Sequence, residues 1–169
     1  MRVYVPATLG MLQRLVADRT LAAVNGTAFA VTPTLREAYA EGDDDELAEV
    51  ALREAGLASL RLLAGAAEES DTDGLPPRRA VLVADVEDAT ARPDLDDAVV
   101  RLSGPIGIDD VAAAYVDNAA AEQAVLAAVE AIDAADLGDE DAELTVGDAQ
   151  DHDLAWYASQ ELPFLLELL

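Results

Sequence analysis

Alanine sets the first limit on this chain. It supplies 36 of the 169 side chains, against four Tyr, two Phe and one Trp, so any core must be built from small groups with few large anchors. Ala and Leu are strong helix formers that lose little side-chain entropy on ordering, which makes close helix packing the expected source of cohesion. The apolar content is 52% and the mean hydropathy +0.14. That is too much apolar surface for an extended acidic chain, so the sequence is expected to fold, as one domain over residues 1–169 with a flexible loop at about 68–77.

The second limit is charge. Ten cations, all Arg, face 35 Asp and Glu, giving 10 − 35 = −25 and a pI near 4.1. Such a chain repels a phosphate backbone and an anionic lipid surface, so nucleic-acid and membrane-surface binding are disfavoured. Part of the acidity also fits the background of a GC-rich genome or a high-salt cytoplasm. Without Cys there is no disulfide frame, zinc ribbon or thiol nucleophile. Without Lys there is no Schiff-base chemistry and no phosphate-binding G-x-x-x-x-G-K loop. G-x-G-x-x-G and G-x-S-x-G are also missing, so no cofactor motif is read. Met1 to Thr8 turns polar too soon for a signal peptide, and the Ala119 to Ala135 run is broken by Glu122, Gln123, Glu130 and Asp133. A cytoplasmic location is expected.

Val3-Tyr4-Val5, closed by Pro6, reads as a strand, and Thr8 is placed to cap a helix carrying Leu9, Met11, Leu12, Leu15 and Val16. Asn25-Gly26, between Leu21–Val24 and Thr27–Thr32, predicts a hairpin. Pro33 ends its second arm, and a helical turn or two follows over Thr34 to Tyr39. Asp43-Asp44-Asp45-Glu46 opens a helix with Leu47, Val50, Ala51, Ala55, Ala58 and Leu62 on one side, fading by Gly65. Ala80–Ala84, Ala98–Leu102 and Val111–Val116 read as strands, with a break at Gly104 to Gly107 between the last two. Asp117-Asn118 caps a helix with Val125, Val129 and Ile132 on one face. Glu143 to Val146 reads as a strand, and Asp151 to Asp153 as a cap for a helix bearing Leu154, Trp156 and Tyr157. The pattern predicts an α+β fold, a two-layer sandwich with a mixed/antiparallel sheet covered by helices on one face. The ferredoxin-like split β-α-β arrangement is the nearest common pattern.

Chemistry has few places to sit. The single histidine, His152, stands among Asp148, Asp151 and Asp153, where carboxylates beside an imidazole could hold a divalent metal or tune a general base. A solvated capping segment explains the same residues. Other acid clusters recur at Asp43–Glu46, Asp94/Asp96/Asp97, Asp109/Asp110 and Asp139–Asp141, but none matches a calcium loop. The nearest attempt, Glu69/Asp71/Asp73/Gly74, runs into Pro77 and has Ala80 at its final ligand position. Among the cations Arg2, Arg36, Arg78, Arg79 and Arg101, Arg101 inside a strand stands out, with an ion pair to a carboxylate as its ordinary role. No catalytic, cofactor-binding or metal residue is therefore assigned. Trp156, Tyr157, Phe164, Leu165 and Leu168 belong to a stretch that gathers large apolar groups at the C-terminal end. They either finish the core or form the surface that meets a protein partner or a second copy of the chain.

The opening Met1 to Thr8, the segment Asn25 to Pro33, the stretch Asp94 to Leu102 and the Trp156-Tyr157 ending together resemble an uncharacterised family of small acidic proteins from high-GC Gram-positive bacteria, a domain of unknown function. The resemblance spans essentially the whole chain. It implies a bacterial cytoplasmic origin and a single domain, and it brings no catalytic residue. Three functions stay open: a non-enzymatic acidic protein-interaction or regulatory module, a small metal-dependent hydrolase using clustered carboxylates and His152, and a DNA-mimic inhibitor.

Overall fold

The computed structural model describes residues 1–68 and 74–169. In chain order the strands are β1 (Arg2–Ala7), β2 (Thr20–Leu21), β3 (Thr27–Phe29), β4 (Ala80–Asp85), β5 (Ala89–Ala91), β6 (Val99–Leu102), β7 (Ile106–Gly107), β8 (Val111–Val116) and β9 (Ala155–Ala158). The helices are α1 (Leu9–Asp18), α2 (Pro33–Ala38), α3 (Asp44–Glu68), α4 (Glu122–Asp136), α5 (Glu140–Gln150) and α6 (Leu162–Glu167). Seven strands form one sheet in the order β5-β6-β3-β1-β4-β8-β9, and β2 pairs with β7 in a separate ribbon. Every neighbouring pair is antiparallel. The α+β class read from the sequence is the class of the fold. One split β-α-β unit is present: β3 and β4 run the same way on either side of β1, with α2 and α3 in the connection.

Alternation along the strands sends side chains to two faces. Val3, Val5, Leu82 and Val100 join Leu12 and Leu15 of α1 and Leu162 and Leu165 of α6 in one apolar cluster. Phe29, Val81 and Val99 join Leu47, Ala51 and Ala55 of α3 in another. The helices thus divide between the faces, where the sequence suggested cover on one. Central β4 is buried from Ala80 to Ala84 because both of its faces are covered. A third cluster, around Leu60, Val125, Ile132 and Val146, glues α4 and α5 to the outer part of α3.

Several local readings are corrected. Thr20-Leu21 pairs with Ile106-Gly107, and Thr27–Phe29 pairs with β1 and β6, so the segments around Asn25-Gly26 make no hairpin with each other. Both turn residues do take positive φ, 57° and 67°, in a short turn that passes the chain from the ribbon to the main sheet. Strand β1 runs through Pro6, since β3 meets it only opposite Tyr4 and residue 6 lies beyond that ladder. Glu143 to Val146 is helical: Asp139 accepts the Ala142 N–H at 2.9 Å, and Ala142, Val146 and Ala149 bury one face of α5. Trp156 and Tyr157 lie in strand β9, not in a helix. Helix α3 passes Gly65 and reaches Glu68. The proposed loop and the calcium-like Glu69/Asp71/Asp73 pattern fall largely outside the described residues. Among the described residues no helix is long and apolar enough to cross a membrane.

Candidate interaction surface

The C-terminal residues close the sheet on one side. β9 pairs with β8 in the register Ala114↔Tyr157 and Tyr115↔Trp156, and among the described residues no strand lies on its other side. Ala158 donates its N–H to Glu161 at 3.1 Å. Main-chain groups of alternate residues point the same way, so the N–H and C=O of Trp156 face outward too. No charged residue occurs from Leu154 to Ala158. The opposite edge, β5, has three residues and is bracketed by Glu87 and Asp88 on one side and the Arg92–Asp94 ion pair on the other. Short charged edges discourage strand addition, and uncharged aromatic ones invite it.

The five residues expected as a partner surface separate. Tyr157 packs against the cluster of α1 and α6, and Leu165 is buried within it. Trp156 points to the other face and is 58% exposed, beside its cross-strand neighbour Tyr115. Tyr115 and Tyr4 are half-buried on that same face. Burial, helped by Tyr115, raises the Tyr4 hydroxyl above its ordinary pKa. Phe164 and Leu168 are 69% and 85% exposed on α6, whose buried leucines share the face of Tyr157. Trp156 is therefore the exposed apolar group on the edge strand itself, while Phe164 and Leu168 are exposed on the helix that covers the opposite face of the sheet.

The residues around His152 do something else. Asp148, Asp151 and Asp153 are exposed and do not converge on the half-buried histidine. Among the described residues no group of three or more His, Asp or Glu is arranged to hold a metal. The His152 carbonyl accepts from Arg79 Nη2 at 2.8 Å. Arg79 also donates from Nε and Nη2 to the two carboxylate oxygens of Asp117, both at 2.8 Å, and from Nη1 to Gln150 Oε1 at 2.9 Å. Its main-chain N–H reaches Asp117 as well. The Arg79 and Asp117 side chains are 3% and 0% exposed. This clamp joins the start of β4, the end of β8 and the turn after α5. It was missed in the sequence, where Asp117 reads as a helix cap. The available signal was position: Arg79 directly precedes one strand run and Asp117 directly follows another.

Arg101, the cation singled out from the sequence, lies on β6 opposite Thr27 and Thr90. Its Nε is buried without a hydrogen-bond partner, and no described carboxylate stands at ion-pair distance, so the expected pair does not form. Its stem lies against Gly26, where a Cβ would come within 3.2 Å of Arg101 Cδ and of the Leu102 carbonyl.

No curated protein and no solved structure matches this chain. A family model does, over residues 1–166. The chain belongs to DUF6912, a family of unknown function.

Proposed function

We propose that this chain is an acidic, non-enzymatic protein-interaction module that docks another protein at its C-terminal edge, across β9 and α6. The observation that carries the reading is the open, uncharged strand with Trp156 exposed on it. Aromatic anchors beside free main-chain groups are the usual equipment for receiving an extended segment. Asp151 and Asp153 precede this strand and Glu161 follows it. A segment with an apolar middle and Arg or Lys at its ends fits that order of charges. A second copy fits less well, since pairing would bring together two chains of −25 each. The carboxylates lend no support to hydrolysis or to DNA mimicry. Asp43 caps α3, Asp139 caps α5 and Asp117 is locked in the Arg79 clamp.

The test is a photo-crosslinking residue in place of Phe164, introduced in the cells that make the protein, with the same residue in place of exposed Leu144 as control. A discrete adduct is expected from position 164 and none from 144. Adding Trp156→Asp should reduce the adduct about tenfold, the loss typical of an interface anchor. Equal capture at both positions, or no effect of Trp156→Asp, would remove the reading.

A further inference from the structure

A cleft lined by residues outside β9 and α6 differs from the rest of the surface. It has a volume of about 550 Å³ and lies between the start of α1, the last turns of α3, the middle of α4 and the stretch Leu75 to Pro77. That is within the usual range of small-molecule sites, roughly 300–1,000 Å³. Leu9, Met11, Leu62, Leu63 and Val129 supply apolar walls. Its charge is what sets it apart. Seventeen described residues line it, and at this chain's acid content about three or four of seventeen should be Asp or Glu. Among the described residues none is, and two are Arg.

The two Arg are in different states. Arg61 is held by Asp136 through two hydrogen bonds, at 3.1 and 2.9 Å. Arg14 has no ion-pair partner among the described residues. Its one hydrogen bond is a 3.4 Å contact from Nε to the Gly10 carbonyl of its own helix, which leaves both terminal amino groups for another acceptor. The first turn of α1 holds no acid, and Thr8 takes only the Met11 N–H. The N–H groups of Leu9 and Gly10 thus have no acceptor within the helix, and the helix dipole adds to the positive field.

We propose that this cleft binds an apolar monocarboxylate of the fatty-acid class, with the hydrocarbon against the leucine walls and the carboxylate on Arg14. A cationic amphiphile would meet Arg14 with like charge, and an uncharged one would forgo the two-pronged contact that a guanidinium makes with a carboxylate.

Titration calorimetry with dodecanoate below its micellar concentration tests this, beside dodecanol and dodecyltrimethylammonium as uncharged and cationic analogues. Dodecanoate is expected to bind at one site with micromolar affinity, dodecanol at least about tenfold more weakly, and the cation not at all. Arg14→Gln, at an exposed position, should weaken dodecanoate about tenfold or more. Ala66→Phe, which fills the cleft, should abolish binding, with circular dichroism checking that the variant is folded. The proposal is overturned if the unmodified protein shows no saturable dodecanoate binding, if Arg14→Gln binds as well as the parent, or if the cation binds as tightly as the carboxylate.

Discussion

Arg79 and Asp117 show how a single pair organises a small-residue core. Each side chain is almost completely shielded, and each main chain also bonds the other: Arg79 N–H to the carboxylate, Asp117 N–H to the Arg79 carbonyl at 3.1 Å. Buried charges cost a great deal to desolvate, and that cost is offset only when every donor and acceptor is matched. Removing one partner therefore leaves an uncompensated charge. Arg79→Met is expected to lower stability by about 3–5 kcal/mol, read as a shift in the urea midpoint. The double variant Arg79→Met with Asp117→Leu should recover much of that loss, because the stranded carboxylate is gone. A double variant as unstable as the single would mean that the links to Gln150 and His152 matter more than the pair itself. Strand runs and turn dipeptides are legible from a few adjacent residues. A pair 38 positions apart is not, and in a chain with 35 acids the correct partner of any Arg is hidden among many equivalent candidates.

The same limit explains which elements could be read. The run Ala80 to Ala84 and the Thr8 cap were legible because each signal is local: consecutive β-favouring side chains, and a hydroxyl placed for the Met11 N–H. Helix α5 was misread because its buried face is Ala142, Val146 and Ala149, while its largest apolar residue, Leu144, is 69% exposed. Alanine serves on buried and exposed faces alike, so in this composition the helical period loses contrast and a short alternating tract looks like a strand. The partner surface was legible in part: the sequence located the apolar end, but which side chains turn inward depends on β9 pairing with β8. Helix α6 makes this testable at its own scale. Leu162 and Leu165 are 0% and 7% exposed, whereas Phe164 and Leu168 face outward. Leu162→Ala is expected to cost about 2–5 kcal/mol. Phe164→Ala and Leu168→Ala should stay within about 0.5 kcal/mol of the parent. Thermal melts of the three variants separate a helix that closes the core from one that only decorates the surface.

At the scale of the whole molecule, the excess of carboxylates dominates. Seven ion pairs are formed among the described residues, so most of the 35 acids have no cation. Some are held by local geometry: Asp85 and Asp136 have their pKa lowered chiefly by hydrogen bonds from Arg2 and Arg61. Five of the seven pairs have an acid side chain at least 45% exposed, and pairs of that kind contribute little to stability because water screens them. Repulsion among the remaining acids acts over the whole surface and favours expansion of the chain. Salt weakens both effects, since the Debye length falls from about 30 Å at 0.01 M to about 3 Å at 1 M. With far more unpaired acids than exposed pairs, the loss of repulsion should win. The melting temperature is expected to rise by several degrees between 10 mM and 500 mM NaCl, corresponding to about 1–2 kcal/mol for a domain of this size. Potassium chloride should act the same way, because screening depends on ionic strength and not on which monovalent cation supplies it. A melting temperature that falls with salt would mean that the exposed pairs outweigh the repulsion and that the −25 charge is carried at little cost to the fold.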